Sequence, residues 1–192
     1  MNLPNKITSA RFFLTLVFIG FAAVPASVEN HLVYWRICFI LAFVTGFSDL
    51  LDGYLARKYN LITTFGKLMD PLADKVFTVS SFVVLTYYHV VPHYITILIL
   101  MREFVVTGLR SIASDQGQVV AARWSGKIKT LLQMLTLALG GLMWVQWAPL
   151  PAAAPPWFRI LWDGILIAIA LGTVYTGIEY FYKGRKLYLR DA

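Results

Sequence analysis

The sequence predicts an all-α integral membrane protein with six transmembrane helices. The chain has 192 residues, of which 58% are hydrophobic and 14% are charged, and its mean hydropathy is +0.66. Several apolar stretches approach the roughly 20 residues that a helix needs to cross a bilayer. The basic residues gather at alternate ends of these stretches. This composition excludes an ordinary water-soluble enzyme.

Six apolar stretches follow one another along the chain, with no long polar segment between them. They cover residues 8–25, 31–56, 69–89, 94–113, 127–147 and 157–182. Basic residues precede the first stretch, as in a cleaved signal peptide. However, Arg11 lies inside it and no A-x-A site follows, so we interpret it as a membrane helix. Because no repeat or linker divides the chain, we expect one polytopic domain over residues 1–192.

The positive charges are distributed as expected for a membrane protein. The formal net charge is +7, which by itself would also suit a nucleic-acid-binding protein. If the first helix starts in the cytoplasm, nearly all Lys and Arg residues fall on the inner side, and only Arg36 and Arg159 fall outside. This asymmetry follows the positive-inside rule and explains the basic charge without nucleic acid. We expect both termini and the active site to be cytoplasmic, and Trp and Tyr residues near helix ends to be interfacial anchors.

The cysteine and histidine residues do not suggest a metal centre. Cys38 is the single cysteine and lies in an apolar run, so we expect a small buried hydrophobic residue. His31, His89 and His93 fall on the predicted outer side of the membrane, and we assign none of them to metal.

Four carboxylates are concentrated at the predicted cytoplasmic ends of the second and third helices. Of the chain's ten acidic residues, these four lie between positions 49 and 74: Asp49, Asp52, Asp70 and Asp74. The first two are spaced i,i+3 and the last two i,i+4, so each pair can point from one face of its own helix. A short hairpin around residues 60–66 would bring the two faces together.

Carboxylates grouped in a partly dehydrated site repel one another unless cations neutralise them. Oxygen ligands with no Cys or His nearby favour two Mg²⁺ or Mn²⁺ ions over Zn²⁺. A pair of such ions commonly holds and polarises a diphosphate, which indicates phosphoryl transfer. The alternative interpretation is a proton or ion pathway.

The residues between the two pairs suit a phosphate ligand. Gly53 removes a side chain where a ligand could approach the backbone, Arg57 can present a planar fork to phosphate, and Gly66 permits a turn. Taken singly, each is also explained by helix packing, a helix cap or interfacial anchoring. Pro71 is compatible with a helix cap at Asp70, or with a bend in a helix that begins near residue 64.

The chain resembles the CDP-alcohol phosphatidyltransferase family, because it matches every fixed position of that family's signature. The matching residues are Asp49-x-x-Asp52-Gly53-x-x-Ala56-Arg57, then eight residues, then Gly66-x-x-x-Asp70-x-x-x-Asp74. Members of this family are membrane enzymes with six transmembrane helices, generally homodimers. They transfer a phosphatidyl or related group from a CDP-activated donor to an alcohol and release CMP.

The resemblance implies roles for particular residues. The four aspartates would ligate two divalent ions, and Asp74 would also act as the general base. Gly53, Arg57 and Thr63 would contact the CDP donor, and Gly66 belongs to the same site. Asn5 and Thr8 would reach the nucleotide or shape its pocket, although capping of the first helix explains them nearly as well.

Three further segments, residues 2–11, 101–110 and 126–130, resemble the bacterial members that make phosphatidylglycerophosphate. The implied reaction joins CDP-diacylglycerol and sn-glycerol 3-phosphate, and releases CMP. The acceptor phosphate needs cations apart from the metal site, and Arg110 and Lys127 are the first candidates, followed by Lys129. The alternative for these residues is anchoring against anionic membrane lipids.

Arg102 and Glu103 lie well inside an apolar segment, where an isolated charge is costly. We expect them to form ion pairs or to line the polar cavity.

Two other functions are also compatible with the sequence. One is an enzyme of the same family that uses serine, inositol phosphate or a phospholipid as the acceptor. The other is an ion-coupled transporter, in which the aspartates would bind the transported ion.

Overall fold

The computed structural model describes residues 3–58, 64–115 and 124–188, and this part of the chain contains helices and no strands. Six helices follow in order: α1 (Leu3–Ala22), α2 (His31–Lys58), α3 (Thr64–Tyr87), α4 (His93–Asp115), α5 (Trp124–Trp144) and α6 (Pro156–Tyr188). The predicted all-α class is confirmed. α2 extends over 28 residues and α6 over 33, so some helices are longer than their apolar stretches.

One described segment is long and apolar enough to cross a membrane by itself. It is Pro156–Tyr182 in α6, with a mean hydropathy of 1.6. Shorter apolar segments lie in the first three helices, at Ala10–Ala22, His31–Gly46 and Lys75–Tyr87. The number of membrane crossings therefore stays a prediction.

The helices form two packed groups that are joined through α3 and α5. α1 packs against both α2 and α3, and α6 packs against both α4 and α5. α3 contacts α4 and α5, and α2 contacts α5. Two glycines allow α5 to come close to its neighbours: a Cβ atom at Gly140 would lie 2.8 Å from Cδ1 of Leu85, and Gly141 lies against the ring of Phe39. Small residues commonly permit such close approach between membrane helices.

An aromatic cluster of Trp35, Tyr88 and Trp144 closes one end of the bundle. The ring centroids of Trp35 lie 4.5 Å from Tyr88 and 5.7 Å from Trp144. The Trp35 indole donates a hydrogen bond to the Val24 carbonyl over 3.0 Å, and the Tyr88 hydroxyl donates one to the Ala22 carbonyl over 2.9 Å. Trp35 and Trp144 are buried. The prediction that they are interfacial anchors is therefore wrong, because their rings pack helices together.

The single cysteine lies where the sequence predicts, whereas the membrane side of the three histidines stays a prediction. Cys38 is fully buried and its thiol donates to the Phe18 carbonyl over 3.2 Å, which confirms a buried small residue. His31 and His93 begin α2 and α4, while His89 follows α3 with a φ of 57°. That left-handed conformation is one that usually ends a helix. His31 and His89 lie at the ends of α2 and α3 that are away from the four aspartate positions.

Pro71 lies inside α3, because the helix begins at Thr64. The alternative in which Asp70 caps the helix is therefore wrong. Proline has no N–H group, so the backbone carbonyl one turn before it loses its usual helical donor. The hydrogen-bond ladder of α3 is thus interrupted directly after Asp70.

We expect Trp35→Ala to destabilise the protein by about 3 kcal/mol or more, because it empties a buried position and removes a hydrogen bond. Unfolding in mixed detergent micelles measures the loss. Trp157→Ala is the matched control, since Trp157 is 67% exposed. Equal losses in the two variants would show that the aromatic cluster does not hold the helices together.

Candidate active site

The four aspartates occupy helical positions at the end of the bundle opposite the aromatic cluster. Asp49 and Asp52 lie in the C-terminal half of α2, and Asp70 and Asp74 in the N-terminal half of α3. Their side chains fall outside the part of the chain whose side chains are described, as do those of Asn5, Thr8, Gly53, Arg57 and Gly66. Thr63 lies outside the described residues altogether. The described backbone therefore places each aspartate pair on its predicted helix.

A group of described polar side chains, here called the polar cluster, lies between α3, α4, α5 and α6. It consists of Lys75, Arg102, Glu103, Thr107, Arg110, Lys129, Gln133, Thr176 and Tyr180. These residues come from four helices that are otherwise largely apolar. Their contacts fall into three parts, centred on Glu103, Tyr180 and Lys75.

Glu103 is the carboxylate at the centre of the first part. Its Oε1 atom contacts Nζ of Lys129, and it lies 3.4 Å from Nη1 of Arg102 and 3.5 Å from Nε2 of Gln133. The side chains of Lys129, Arg102 and Glu103 are only 5%, 9% and 15% exposed. The prediction that Arg102 and Glu103 form ion pairs is confirmed. Lys129, predicted to contact the acceptor phosphate, has this carboxylate as an internal partner.

Tyr180 of α6 is the centre of the second part. Its hydroxyl accepts a hydrogen bond from Nη2 of Arg110 over 2.7 Å. The guanidinium carbons of Arg110 and Arg102 lie 5.2 Å and 5.6 Å from the centre of its ring. Arg102 also donates from Nε to Oγ1 of Thr176 over 3.3 Å. Two cationic side chains of α4 are therefore held against one face of α6.

Lys75 connects the aspartate-bearing end of α3 to the polar cluster. It follows Asp74 directly in the chain, and its Nζ atom donates to Oγ1 of Thr107. Thr107 lies one helical turn before Arg110 and donates to the Glu103 carbonyl over 2.5 Å. The turn of α3 that carries Asp74 and the turn of α4 that carries Arg110 are therefore neighbours.

The polar cluster carries an excess of positive charge, since it contains four cationic side chains and a single carboxylate. Lys127, two residues before Lys129, is exposed on α5 and adds another cation near the end of the bundle that bears the aspartates. Arg and Lys side chains in such an arrangement favour anionic ligands. The cluster thus places cations beside the predicted carboxylate site. A substrate with several phosphate groups requires such cations.

An apolar cavity of about 500 Å³ lies between α2, α3 and α5. Its lining includes Phe39, Gly46, Phe77, Leu131, Met134 and Gly141. Gly46 precedes Asp49 by three residues, and Phe77 follows Asp74 by three residues. The cavity therefore begins about one helical turn from both pairs of aspartates. Its size and apolar lining suit a hydrocarbon chain.

Sequence reasoning missed Gln133, Thr176 and Tyr180. A signal was present, because three helices carry polar residues with helical spacing in otherwise apolar surroundings. The three stripes are Glu103, Thr107 and Arg110 in α4, Lys129, Gln133 and Thr136 in α5, and Thr173, Thr176 and Tyr180 in α6. Polar positions repeated at the helical period in an apolar helix indicate a face that is turned towards other helices.

The chain belongs to the CDP-alcohol phosphatidyltransferase family, whose sequence profile matches residues 1–175. The resemblance given by the aspartate signature is thereby confirmed. Members of this family are membrane enzymes that generally depend on a divalent metal.

Curated relatives cover most of the chain. A protein of Bacillus subtilis (strain 168) named CDP-diacylglycerol--glycerol-3-phosphate 3-phosphatidyltransferase is 38% identical, over 95% of this chain and 94% of its own length. A Rickettsia felis protein of the same name is 34% identical over 97% of both chains. A Haemophilus influenzae protein, again of that name, is 40% identical over 74% of this chain and 76% of its own.

We expect Glu103→Gln to lower the free energy of unfolding by about 3 kcal/mol, because Lys129 and Arg102 would lose their buried counter-charge. Unfolding in mixed detergent micelles measures this, with Glu29→Gln in the exposed loop after α1 as control. A second change, Lys129→Met, should restore part of the stability of the Glu103→Gln variant by removing the uncompensated cation. Additive losses in the double variant would contradict the ion pair.

Proposed function

We propose that the protein transfers a phosphatidyl group from CDP-diacylglycerol to sn-glycerol 3-phosphate, giving phosphatidylglycerophosphate and CMP. The contact between Lys75 and Thr107 is the observation that carries this proposal. It brings the turn that bears Asp74 beside the turn that bears Arg110, so a carboxylate base and a phosphate-binding cation can act on one small acceptor. The names of the relatives favour the same donor and acceptor.

The donor is held at the aspartate end of α2 and α3. Asp49, Asp52, Asp70 and Asp74 supply only oxygen ligands, a set that fits two Mg²⁺ or Mn²⁺ ions. When bound, these ions hold the diphosphate oxygens and offset the negative charge that develops on them. The residues proposed to contact the CDP group are Asn5, Thr8, Gly53, Arg57, Thr63 and Gly66.

The lipid part of the donor lies towards the middle of the bundle. The apolar cavity between α2, α3 and α5 starts one turn from the aspartates and has room for an acyl chain. A hydrocarbon chain held there would leave the diphosphate at the aspartates, so the reacting phosphorus would be fixed from both sides.

Asp74 acts as the general base in this proposal. Its carboxylate accepts the proton of the acceptor's primary hydroxyl as the oxygen forms a bond to the phosphatidyl phosphorus. The bond between that phosphorus and the CMP oxygen breaks, and CMP leaves with the bonding electron pair. Arg57 would stabilise the negative charge of the departing nucleotide.

The acceptor phosphate is bound by cations of α4 and α5. Arg110 and Lys127 are the direct contacts, since both are exposed at the end of the bundle that bears the aspartates. Lys129 lies behind them in a buried position, where Glu103 neutralises its charge, so it supports the acceptor site without contacting the phosphate. A zwitterionic acceptor such as serine would have less need of this set of cations.

The protein is proposed to be a multi-pass protein of the bacterial cell membrane, with both termini and the active site in the cytoplasm. The exposed apolar side chains of α4 and α6, among them Phe104, Ile160 and Leu171, suit contact with lipid. A homodimer is implied by the family resemblance, and light scattering of the purified protein in detergent tests it.

The reaction is tested with purified protein, CDP-diacylglycerol and a divalent metal, by following CMP release and lipid product with glycerol 3-phosphate, serine or inositol phosphate. Phosphatidylglycerophosphate formed from glycerol 3-phosphate, and lost on chelation of the metal, is the expected result. Turnover with only another acceptor would reject the proposed substrate and keep the family chemistry. Failure with every acceptor would reject the proposed function.

We expect Asp74→Asn to reduce turnover by a factor of about 100 or more, because an amide cannot accept the acceptor's proton. CMP release measures turnover, and binding of the CDP donor, measured separately, should persist in the folded variant. Unchanged turnover would contradict the assignment of Asp74 as the general base.

We expect Arg110→Ala to raise the KM for glycerol 3-phosphate by about tenfold or more, since a charge-assisted contact to phosphate is lost. The KM for CDP-diacylglycerol should change little. Arg159→Ala is the matched control, because Arg159 lies at the other end of the bundle and donates to loop carbonyls. Equal effects on both KM values would argue against a dedicated acceptor contact.

A further inference from the structure

Tyr180 is a buried aromatic residue that none of the proposed catalytic steps uses. It lies near the end of α6 and is 7% exposed. Its hydroxyl accepts from Arg110 over 2.7 Å, and its ring lies under the guanidinium groups of both Arg110 and Arg102. A residue needed only to fill space between α4 and α6 would not require a hydroxyl at this position.

We propose that Tyr180 is a positioning residue of the acceptor site, which holds the Arg110 guanidinium ready for the phosphate of the acceptor. This inference rests on the proposed function, since it takes glycerol 3-phosphate as the acceptor. Tyr180 touches no reacting atom in this account and acts only through Arg110.

The hydrogen bond to Tyr180 restrains the Arg110 side chain and leaves its other N–H donors available to a ligand. An arginine guanidinium has five N–H donors, and the phenol oxygen engages one nitrogen, Nη2. Arg110 is exposed, so its remaining donors can reach a ligand. Fixing a long side chain before binding reduces the conformational entropy that the ligand must otherwise remove.

Tyr180 also leaves the positive charge of Arg110 intact, unlike an acidic partner. The contrast with Lys129 is direct, because Glu103 neutralises that ammonium group within the bundle. The face of an aromatic ring attracts a cation while carrying no net charge of its own. Arg110 is therefore held in place and still presents a full charge to an anionic acceptor.

The shared ring connects the acceptor contact to the buried ion pair. Arg102 lies over the same ring as Arg110 and also contacts Glu103. Arg102 and Arg110 are eight residues apart, about two turns of α4. Tyr180 thus fixes α4 against α6 at two points, and the orientation of Arg110 follows from the packing of these helices.

The test compares steady-state kinetics of the wild-type protein with Tyr180→Phe, Arg110→Ala and the double variant. Tyr180→Phe keeps the ring and removes the hydroxyl, so the fold is retained. We expect it to raise the KM for glycerol 3-phosphate about fivefold to tenfold, because an unrestrained Arg110 side chain loses more conformational entropy when the ligand binds. The value of kcat and the KM for CDP-diacylglycerol should each stay within about twofold of wild type.

The double variant distinguishes an effect of Tyr180 that acts through Arg110 from an effect of Tyr180 on helix packing alone. If Tyr180 acts through Arg110, removing its hydroxyl in the Arg110→Ala protein should change the KM for glycerol 3-phosphate by less than about twofold. Tyr175→Phe, on the same helix at a 64% exposed position, should behave as wild type. The same fold increase with and without Arg110, or an unchanged KM in Tyr180→Phe, would overturn the proposal.

The kinetic measurements distinguish failure of the proposed function from failure of the positioning role of Tyr180. If wild-type protein makes no phosphatidylglycerophosphate from glycerol 3-phosphate, the proposed function fails and the acceptor role of Tyr180 fails with it. If wild-type protein turns over normally and Tyr180→Phe matches it in every constant, only the positioning role is lost.

Discussion

Charges inside an apolar helix bundle must be compensated by one another, and the contact between Glu103 and Lys129 does this at the centre of the protein. It joins α4 to α5, and Arg102 extends the contact towards α6 through Thr176 and Tyr180. Without this carboxylate, two buried cations would face one another in surroundings of low polarity, which is strongly unfavourable. The positions of α4, α5 and α6 relative to one another therefore depend on a few polar atoms as much as on apolar packing.

The two ends of the helix bundle differ in the kind of side chain that joins the helices. At one end, Trp35, Tyr88 and Trp144 pack closely, and Trp35 and Tyr88 donate hydrogen bonds to neighbouring carbonyl groups. At the other end, cations outnumber carboxylates within the described polar cluster, and the turn of α3 that carries Asp74 lies beside it.

The sequence predicted the helices and the location of the aspartates well, because both depend on local patterns. Apolar runs of sufficient length indicate helices, and the spacing of Asp49, Asp52, Asp70 and Asp74 is specific for one family. The residue following Asp70 was harder to interpret, since proline is tolerated both at a helix start and, at some cost, inside a helix. The start of α3 at Thr64 shows that this proline lies inside the helix.

Tyr180 illustrates what sequence patterns do not provide. A tyrosine near the end of a membrane helix is most often an interfacial anchor. Its contact with Arg110 joins residues 70 positions apart and depends on how α4 and α6 pack. The polar stripes of α4, α5 and α6 indicate which faces are turned inward, but not which side chain meets which. The sequence indicates that Arg102 and Glu103 are paired, because an isolated charge inside an apolar helix is energetically unfavourable. It does not indicate that Lys129 is a partner.

The most direct test of this account is the structure of the protein in lipid with bound Mn²⁺ and glycerol 3-phosphate, with anomalous scattering to locate the metal. We expect two manganese ions held by Asp49, Asp52, Asp70 and Asp74, and a phosphate group against the Arg110 guanidinium, with the Tyr180 hydroxyl still bonded to that arginine. Metal at other residues, or a phosphate bound away from Arg110, would contradict it.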